Sequence, residues 1–306
     1  MDLITAVHNK GLVVDGAMST ALEKLGVNTQ NNLWTAIALV NDLEKVYQVH
    51  WDYFQAGAQL TITNTYQANV QGFLKAGYSQ QQAQQFIAQA VQIAKQARSD
   101  YEKKTGRHNF VAGTIGSYGA YLADGSEYRG DYHLTTQELL DFHLPRLQVI
   151  LKQEPDCLAI ETQPQLFETQ TLLNWMQNID STVPIYVSFT LRDPKTLSDG
   201  TTLAQAIKVI NQYPQVFAVG VNCIAPSWVL PAVQQIHLQT TKEIIVYPNS
   251  GSSYDPQSKT WQPLSEKIDF YSLAKTWYHA GAHLIGGCCT TGVKEIQAIA
   301  QAFEEL

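Results

Sequence analysis

Positive charge is scarce in this chain. Its 306 residues carry 20 Lys and Arg against 27 Asp and Glu, a net charge of −7, and charged residues of all kinds make up only 15%. No basic run interleaved with aromatics occurs, so no nucleic-acid partner is expected. Long apolar runs are also missing: none approaches the roughly 18 residues of a membrane span. The first eight residues lack the basic and apolar regions of a secretory signal. No membrane partner and a cytoplasmic location are therefore expected. Cysteines number four, too few for a disulfide framework in a chain this long, and reducing conditions would leave their thiols available to metal. Three catalytic signatures are absent as well. Asp15-Gly16-Ala17-Met18-Ser19 is not the G-x-G-x-x-G of a dinucleotide site. None of the eight histidines forms H-E-x-x-H, and no G-x-S-x-G surrounds Ser117 or Ser250.

What the chain does have is a 45% hydrophobic composition, which suits a compact globule, and a repeating order of β-branched runs and amphipathic helical stretches. Candidate strands fall at 11–17, 59–65, 110–116, 157–162, 184–190, 217–223, 243–250 and 282–288. Eight strands separated by helices predict an α/β chain folded as a (β/α)8 TIM barrel, with a doubly wound open sheet as the alternative. The clearest helix is 79–104, where Phe86, Ala90, Ile93, Ala94 and Ala97 recur at helical spacing and the glutamines take the solvated face. Loop lengths choose the working face. Strand-to-helix connections at 18–41, 117–134, 191–202 and 251–264 are long, whereas helix-to-strand connections are short. In such barrels the strand C-terminal face carries the chemistry. No linker divides the chain, so a single domain over 1–306 is expected; a homo-oligomer stays open.

The cysteines obey the same polarity. Cys288 and Cys289 follow an apolar run and Gly286-Gly287, and Cys223 ends the run from Phe217. If both strands belong to one parallel sheet, three thiolates meet at its C-terminal end. Three protein ligands leave a zinc ion's fourth tetrahedral position open, the arrangement of a catalytic rather than a structural site. Cys157 begins its run, at the opposite end, and reads as a buried structural thiol.

Other polar groups at the same strand ends are Asp15, Asn64 with Thr65, Glu161 with Thr162, Thr190, Asn222 and Asn249. A carboxylate closing an apolar strand is costly unless a cation or hydrogen-bond donors meet it, so Asp15 and Glu161 are candidates to hold an ammonium group. The amides of Asn64, Asn222 and Asn249 suit a carboxylate, although asparagine at a strand end is also ordinary turn chemistry.

Taken in order, Asp15-Gly16-Ala17, Thr63-Asn64-Thr65-Tyr66-Gln67-Ala68, the tyrosine-rich loop 119–132, Glu161-Thr162-Gln163-Pro164, Gly220-Val221-Asn222-Cys223, Tyr247-Pro248-Asn249-Ser250-Gly251 and Gly286-Gly287-Cys288-Cys289 resemble the zinc-dependent homocysteine S-methyltransferases, over almost the whole chain. The loop 119–132 is most similar to the branch that uses S-methylmethionine or S-adenosylmethionine. The resemblance implies a (β/α)8 barrel and Zn2+ held by Cys223, Cys288 and Cys289. It also implies small-molecule substrates, homocysteine and a sulfonium methyl donor, with Asp15 and Glu161 on the amino acid's ammonium. Gly16, Asn64, Thr65, Asn222 and Asn249 complete the expected substrate contacts. Tyr118, Tyr121, Tyr128 and Trp261 offer aromatic faces to a sulfonium. Thr290-Thr291-Gly292-Val293 stands where the family often has Arg-Thr-Thr-Pro, and Ser252 where Glu is common. Rival expectations are a barrel methylating another thiol or selenol, a zinc-binding protein without catalysis, and a thiol-redox barrel using Cys288 and Cys289.

Overall fold

Eight short parallel strands alternate with helices in the computed structural model, which describes residues 1–251, 253–255, 260–262 and 268–306. The strands are β1 (Leu12–Val13), β2 (Leu60–Ile62), β3 (Phe110–Ile115), β4 (Cys157–Gln163), β5 (Ile185–Phe189), β6 (Val216–Asn222), β7 (Glu243–Tyr247) and β8 (Ala282–Ile285). Pairing runs β1-β8-β7-β6-β5-β4-β3-β2, and a parallel bridge between Val14 and Leu60 closes the ring. This is the expected (β/α)8 barrel. Most expected strands overran their observed C-terminal ends, because apolar composition continues past the point where the ladder stops. Gly286 and Gly287, for example, still donate to Val246 O (3.0 Å) and Asp15 O (3.1 Å) beyond the end of β8.

Alternation along the strands divides the core in two. Leu12, Leu60, Phe110, Cys157, Tyr186 and Leu284 point into the barrel, and helix Leu3–Lys10 adds Leu3, Ala6 and Val7 to the same cluster, closing the N-terminal mouth. Leu158, Ile160, Val187, Val219 and Val246 face outward under the helices. A fully buried side chain of this size contributes about 1.5–3 kcal/mol. Packing on both faces therefore holds a strand of two or three residues that its few ladder bonds would not. The helix expected at 79–104 is Gln80–Thr105, opened by a capping box between Ser79 and Gln82 and stopped by Gly106 in the left-handed conformation. Among the described residues no helix is long and apolar enough to cross a membrane.

The elaborated connections all follow strand C-terminal ends. After β1 come helix Met18–Lys24, a 3-10 turn at Trp34–Ile37 and helix Ala38–Asn41; after β3, the short helices Tyr118–Leu122 and Ser126–Arg129. A hairpin of Leu191–Asp193 with Thr196–Leu197 follows β5, and one of Ser253–Asp255 with Thr260–Gln262 follows β7. Ser252 and the side chain of Trp261 lie outside the described residues.

Candidate active site

The loops after β1 and β3 and the ends of β2, β4, β6, β7 and β8 enclose a cavity of about 580 Å³ at the C-terminal mouth. Of the residues expected at the site, Asp15, Gly16, Asn64, Glu161, Cys223, Cys288 and Cys289 line it. Three others do not. Asn222 is fully buried beneath it and is spent on the barrel: its Nδ2 donates to Thr162 Oγ1 (2.7 Å) and its Oδ1 accepts from Thr162 N (2.9 Å) and Ser188 Oγ (2.8 Å). Thr65 donates its hydroxyl to Thr114 O (2.7 Å), tying the end of β2 to β3. Asn249 donates its backbone N–H to Ile224 O (3.0 Å), and its side-chain oxygen is buried with no hydrogen-bond partner.

The three sulfurs converge as the strand ends predicted, all within 4.8 Å of one another. Cys223 and Cys288 are joined as a disulfide, and Cys289 is a buried free thiol. The bonded pair is thus Cys223 with Cys288 and not the adjacent cysteines, whose neighbouring positions disfavour a bridge. The backbone explains the convergence. Gly287 leaves the barrel against Thr291, where an added Cβ would lie 2.3 Å from Thr291 Oγ1, so the chain turns back sharply enough to present both following thiols. Burial pushes the Cys289 thiol up to about 12, with the Tyr128 hydroxyl beside it partly opposing the rise. The donor set fits one soft metal ion: three sulfurs of suitable mutual distance at the edge of a cavity, with room for a further ligand. When two of them are bonded to each other they are not available as thiolates, so metal binding and the disulfide exclude one another.

Asp15 and Glu161 face the same space. Asp15 Oδ2 accepts from Thr61 Oγ1 (2.6 Å) and Ile62 N (2.8 Å), and behind Thr61 stands the buried His50, whose Nδ1 is 2.7 Å from Thr61 Oγ1. Since the Thr61 hydroxyl proton goes to Asp15, His50 Nδ1 is the donor to Thr61, and burial pushes the imidazole down to about 3, keeping it neutral. Glu161 Oε1 accepts from Thr114 Oγ1. Burial raises Asp15 to about 8 and Glu161 to about 7, in each case against the hydrogen bonds that lower them. Two carboxylates without a basic partner among the described residues are therefore held where a cation would stabilise their ionised form. Gly16 makes the approach possible: a Cβ there would lie 2.8 Å from the Tyr53 ring, whose hydroxyl is bonded to Ala17 O (2.9 Å).

The aromatic expectations divide. Tyr118 and Tyr121 are used in packing against Phe142, with ring centroids at 4.9 and 5.1 Å, and do not line the cavity; Tyr128 does. Trp34 and Tyr66, not expected from the sequence, line it too and meet edge to face at 6.1 Å. Trp34 carries no motif of its own and is marked only by its place in a strand-to-helix connection, whereas Tyr66 stands inside the segment Thr63–Ala68 that carries the family resemblance. A buried relay also went unread. Arg146 donates to Tyr66 O (2.6 Å) and Gly116 O (2.8 Å) and reaches His143 Nδ1 (3.0 Å). His143 Nε2 in turn contacts Glu168 Oε1 (2.7 Å), and Glu168 accepts from Tyr118 N (2.6 Å) and the Tyr132 hydroxyl. Because Arg146 can only donate, His143 Nδ1 accepts and Nε2 carries the proton. The relay ties the tyrosine-rich loop to the barrel.

Among the described residues six non-glycine residues have positive φ, and five of them, Trp34, Ala123, Thr162, Cys223 and Thr290, line the cavity. Such conformations cost roughly 1–3 kcal/mol each and persist where surrounding structure over-determines them. Here they turn Cys223 and the residues beside Glu161 and Cys289 out of the regular ladder and toward the cavity.

Comparison with known proteins follows the same lines. The family model for homocysteine S-methyltransferase matches residues 12–303. The homocysteine S-methyltransferase of Escherichia coli (strain K12) is 43% identical over 291 residues, covering 94% of each chain. Homocysteine S-methyltransferase YbgG of Bacillus subtilis (strain 168) is 40% identical over 294 residues, covering 94% of this chain and 93% of its own. The crystal structure of the homocysteine methyltransferase MmuM from Escherichia coli in its metallated form superposes with a TM-score of 0.89 at 39% identity, covering 98% of each chain. With its barrel, its three converging sulfurs and a match running from β1 to the last helix, the chain belongs to the homocysteine S-methyltransferase family.

Proposed function

We propose that the chain, acting as one barrel over 1–306, moves a methyl group from a sulfonium donor, S-methylmethionine or S-adenosylmethionine, to the sulfur of L-homocysteine, forming methionine. The observation that carries this reading is the juxtaposition of three cysteine sulfurs within 4.8 Å of one another with two buried carboxylates in one cavity wall that meet no cation among the described residues. In their reduced form Cys223, Cys288 and Cys289 would hold zinc, which supplies deprotonation of a coordinated thiol near neutral pH.

The rest of the chemistry belongs to the chain's own side chains. Asp15 and Glu161 receive the homocysteine ammonium, each kept in place by hydroxyls of the barrel: Thr61 for Asp15, Thr114 for Glu161. Among the described residues neither Lys, Arg nor His lines the cavity, and the donors these residues offer to the substrate carboxylate are neutral. Asn64 is the side chain placed for it, its Nδ2 now given to Thr35 O at 2.9 Å. Thr65 and Asn222 serve the site by bracing strand ends. In the transfer itself the homocysteine sulfur supplies the electron pair for the new S–CH3 bond while the donor's S–CH3 bond breaks and its pair stays on the leaving thioether. No proton moves in that step, which accords with a cavity where the contribution is alignment and exclusion of water.

The test is methionine formation from homocysteine with each sulfonium donor, on reduced protein whose zinc is quantified in the same sample. Turnover in proportion to one zinc per chain is expected, and the ratio of the two donors assigns the preferred one. Turnover that is indifferent to zinc content would overturn the zinc assignment, and no methionine from either donor would overturn the sulfonium reading.

A further inference from the structure

Five carboxylates line the cavity, Asp15, Glu23, Asp124, Glu127 and Glu161, and among the described residues no Lys, Arg or His joins them. Four are committed to protein donors. Glu23 accepts from the Thr29 hydroxyl, Asp124 from Ser126 N (3.0 Å) and Oγ (2.6 Å), and Asp15 and Glu161 from the threonines described above. Glu127 differs in one atom: its Oε2 is buried with no hydrogen-bond partner among the described residues, and it makes no ion pair there, the nearby Arg129 being paired with Asp124 and Asp131. Burial raises it to about 7, against its own backbone N–H and the charge of Arg129, which lower it. Its charge bears on Cys289, Tyr66 and Tyr128, so it sits within electrostatic reach of the sulfur cluster and of the aromatic wall.

The proposed reaction brings two kinds of cation to this cavity. An ammonium has N–H donors and suits carboxylates already embedded in hydrogen-bond networks. A sulfonium has none: it is recognised by uncompensated negative charge and by polarizable faces. Glu127 lines the same cavity as Trp34, Tyr66 and Tyr128, and with its unpartnered Oε2 it comes nearest of the five to that second character. We propose that Glu127 is the counter-charge to the sulfonium of the methyl donor and selects cationic donors over neutral thioethers, an inference that rests on the sulfonium-donor reading above.

The reaction chemistry then dictates a particular signature. As the methyl leaves, the donor sulfur passes from cationic to neutral, so attraction to Glu127 is stronger in the bound donor than in the transition state. An interaction that weakens on the way to the transition state lowers KM and holds kcat down with it. In Glu127→Gln the donor KM should therefore rise about tenfold with kcat raised rather than lowered, so that the donor kcat/KM falls by less than KM rises, while the homocysteine KM stays within about twofold.

The experiment uses reduced, zinc-loaded protein. Both KM values are measured for wild type, Glu127→Gln and Glu127→Asp, together with inhibition by trimethylsulfonium, which carries the sulfonium charge and no ammonium. The expected result is a raised donor KM and weakened trimethylsulfonium inhibition in Glu127→Gln, with both partly restored in Glu127→Asp, where the charge is kept. An unchanged donor KM in Glu127→Gln would overturn the inference. So would a raised KM with unaltered trimethylsulfonium inhibition, which would place Glu127 on the donor's ammonium instead. Calorimetric titration with S-methylmethionine separates the inference from the reading beneath it. Loss of binding in Glu127→Gln with no wild-type turnover would sink the reaction but keep the contact, and equal binding by both proteins would sink the contact alone.

Discussion

Cys157 opens β4 at one end of the barrel, and Cys223 follows the last residue of β6 at the other. Cys157 enters a regular ladder, paired with Ala112, and its side chain disappears into the interior cluster, where burial raises the thiol well above its usual range. Cys223 adopts φ 51, leaves the ladder and reaches the other two sulfurs. The carboxylates repeat the contrast. At the N-terminal end Glu243 lies between His283 Nδ1 (2.6 Å) and His8 Nδ1 (2.8 Å), and the hydrogen bond from His283 pulls it below its ordinary value. At the C-terminal end Asp15 and Glu161 meet no cation among the described residues, and burial pushes both upward. The lesson is that residue type does not assign the role. One end of the barrel buries its thiol in the apolar interior and pairs its carboxylate with histidines, and the other gathers its thiols and carboxylates around a cavity.

The largest expected effect breaks this contrast at the sulfurs. Cys223→Ala or Cys288→Ala should abolish both metal content and methionine formation while the barrel's circular dichroism is preserved; near-normal turnover in either variant would remove that cysteine from the site. Next comes the ammonium pocket. Glu161→Gln should raise the apparent homocysteine KM about tenfold or more, the scale of a lost charge-assisted hydrogen bond, and an unchanged KM would take Glu161 out of substrate binding.

A third measurement sharpens the comparison of carboxylates through pH. Asp15 and Glu161 have folded-state values raised from 3.8 to about 8 and from 4.5 to about 7. Each contributes stability that is fully present below its unfolded value and is lost as pH rises through its folded value. Urea denaturation of the ligand-free protein should therefore show wild type losing at least about 1 kcal/mol more between pH 5 and 8 than an Asp15→Asn, Glu161→Gln double variant. Parallel pH profiles for the two proteins would contradict these raised values. Smallest is the effect at the sealed end. Cys157→Ala should cost roughly 1–2 kcal/mol of stability, the scale of a small buried side chain, with kcat/KM for both substrates unaltered. A loss of metal in that variant would show that the two ends are not separate.

What the sequence determined by itself is the part of the molecule governed by local pattern. Eight β-branched runs alternating with helical periodicity made the barrel legible, and the inequality of loop lengths pointed to the face that holds Asp15, Glu161 and the three converging cysteines. These features survive reading in one dimension because strand period, helix period and loop length are properties of neighbours along the chain. Tertiary structure alone decided the rest. Asn222 and Thr65 stand at strand ends as expected, but cross-strand partners consume their polar groups, a matter of register between segments as far as 60 residues apart. Trp34, Tyr66 and Glu127 come from three different connections and meet only because the ring closes between Val14 and Leu60 and the Arg146–His143–Glu168 relay ties down the loop after β3. The thiols themselves meet because the backbone at Cys223 and Thr290 is driven into left-handed conformations that no local preference of cysteine or threonine favours. Only the packed surroundings supply the energy to hold them there.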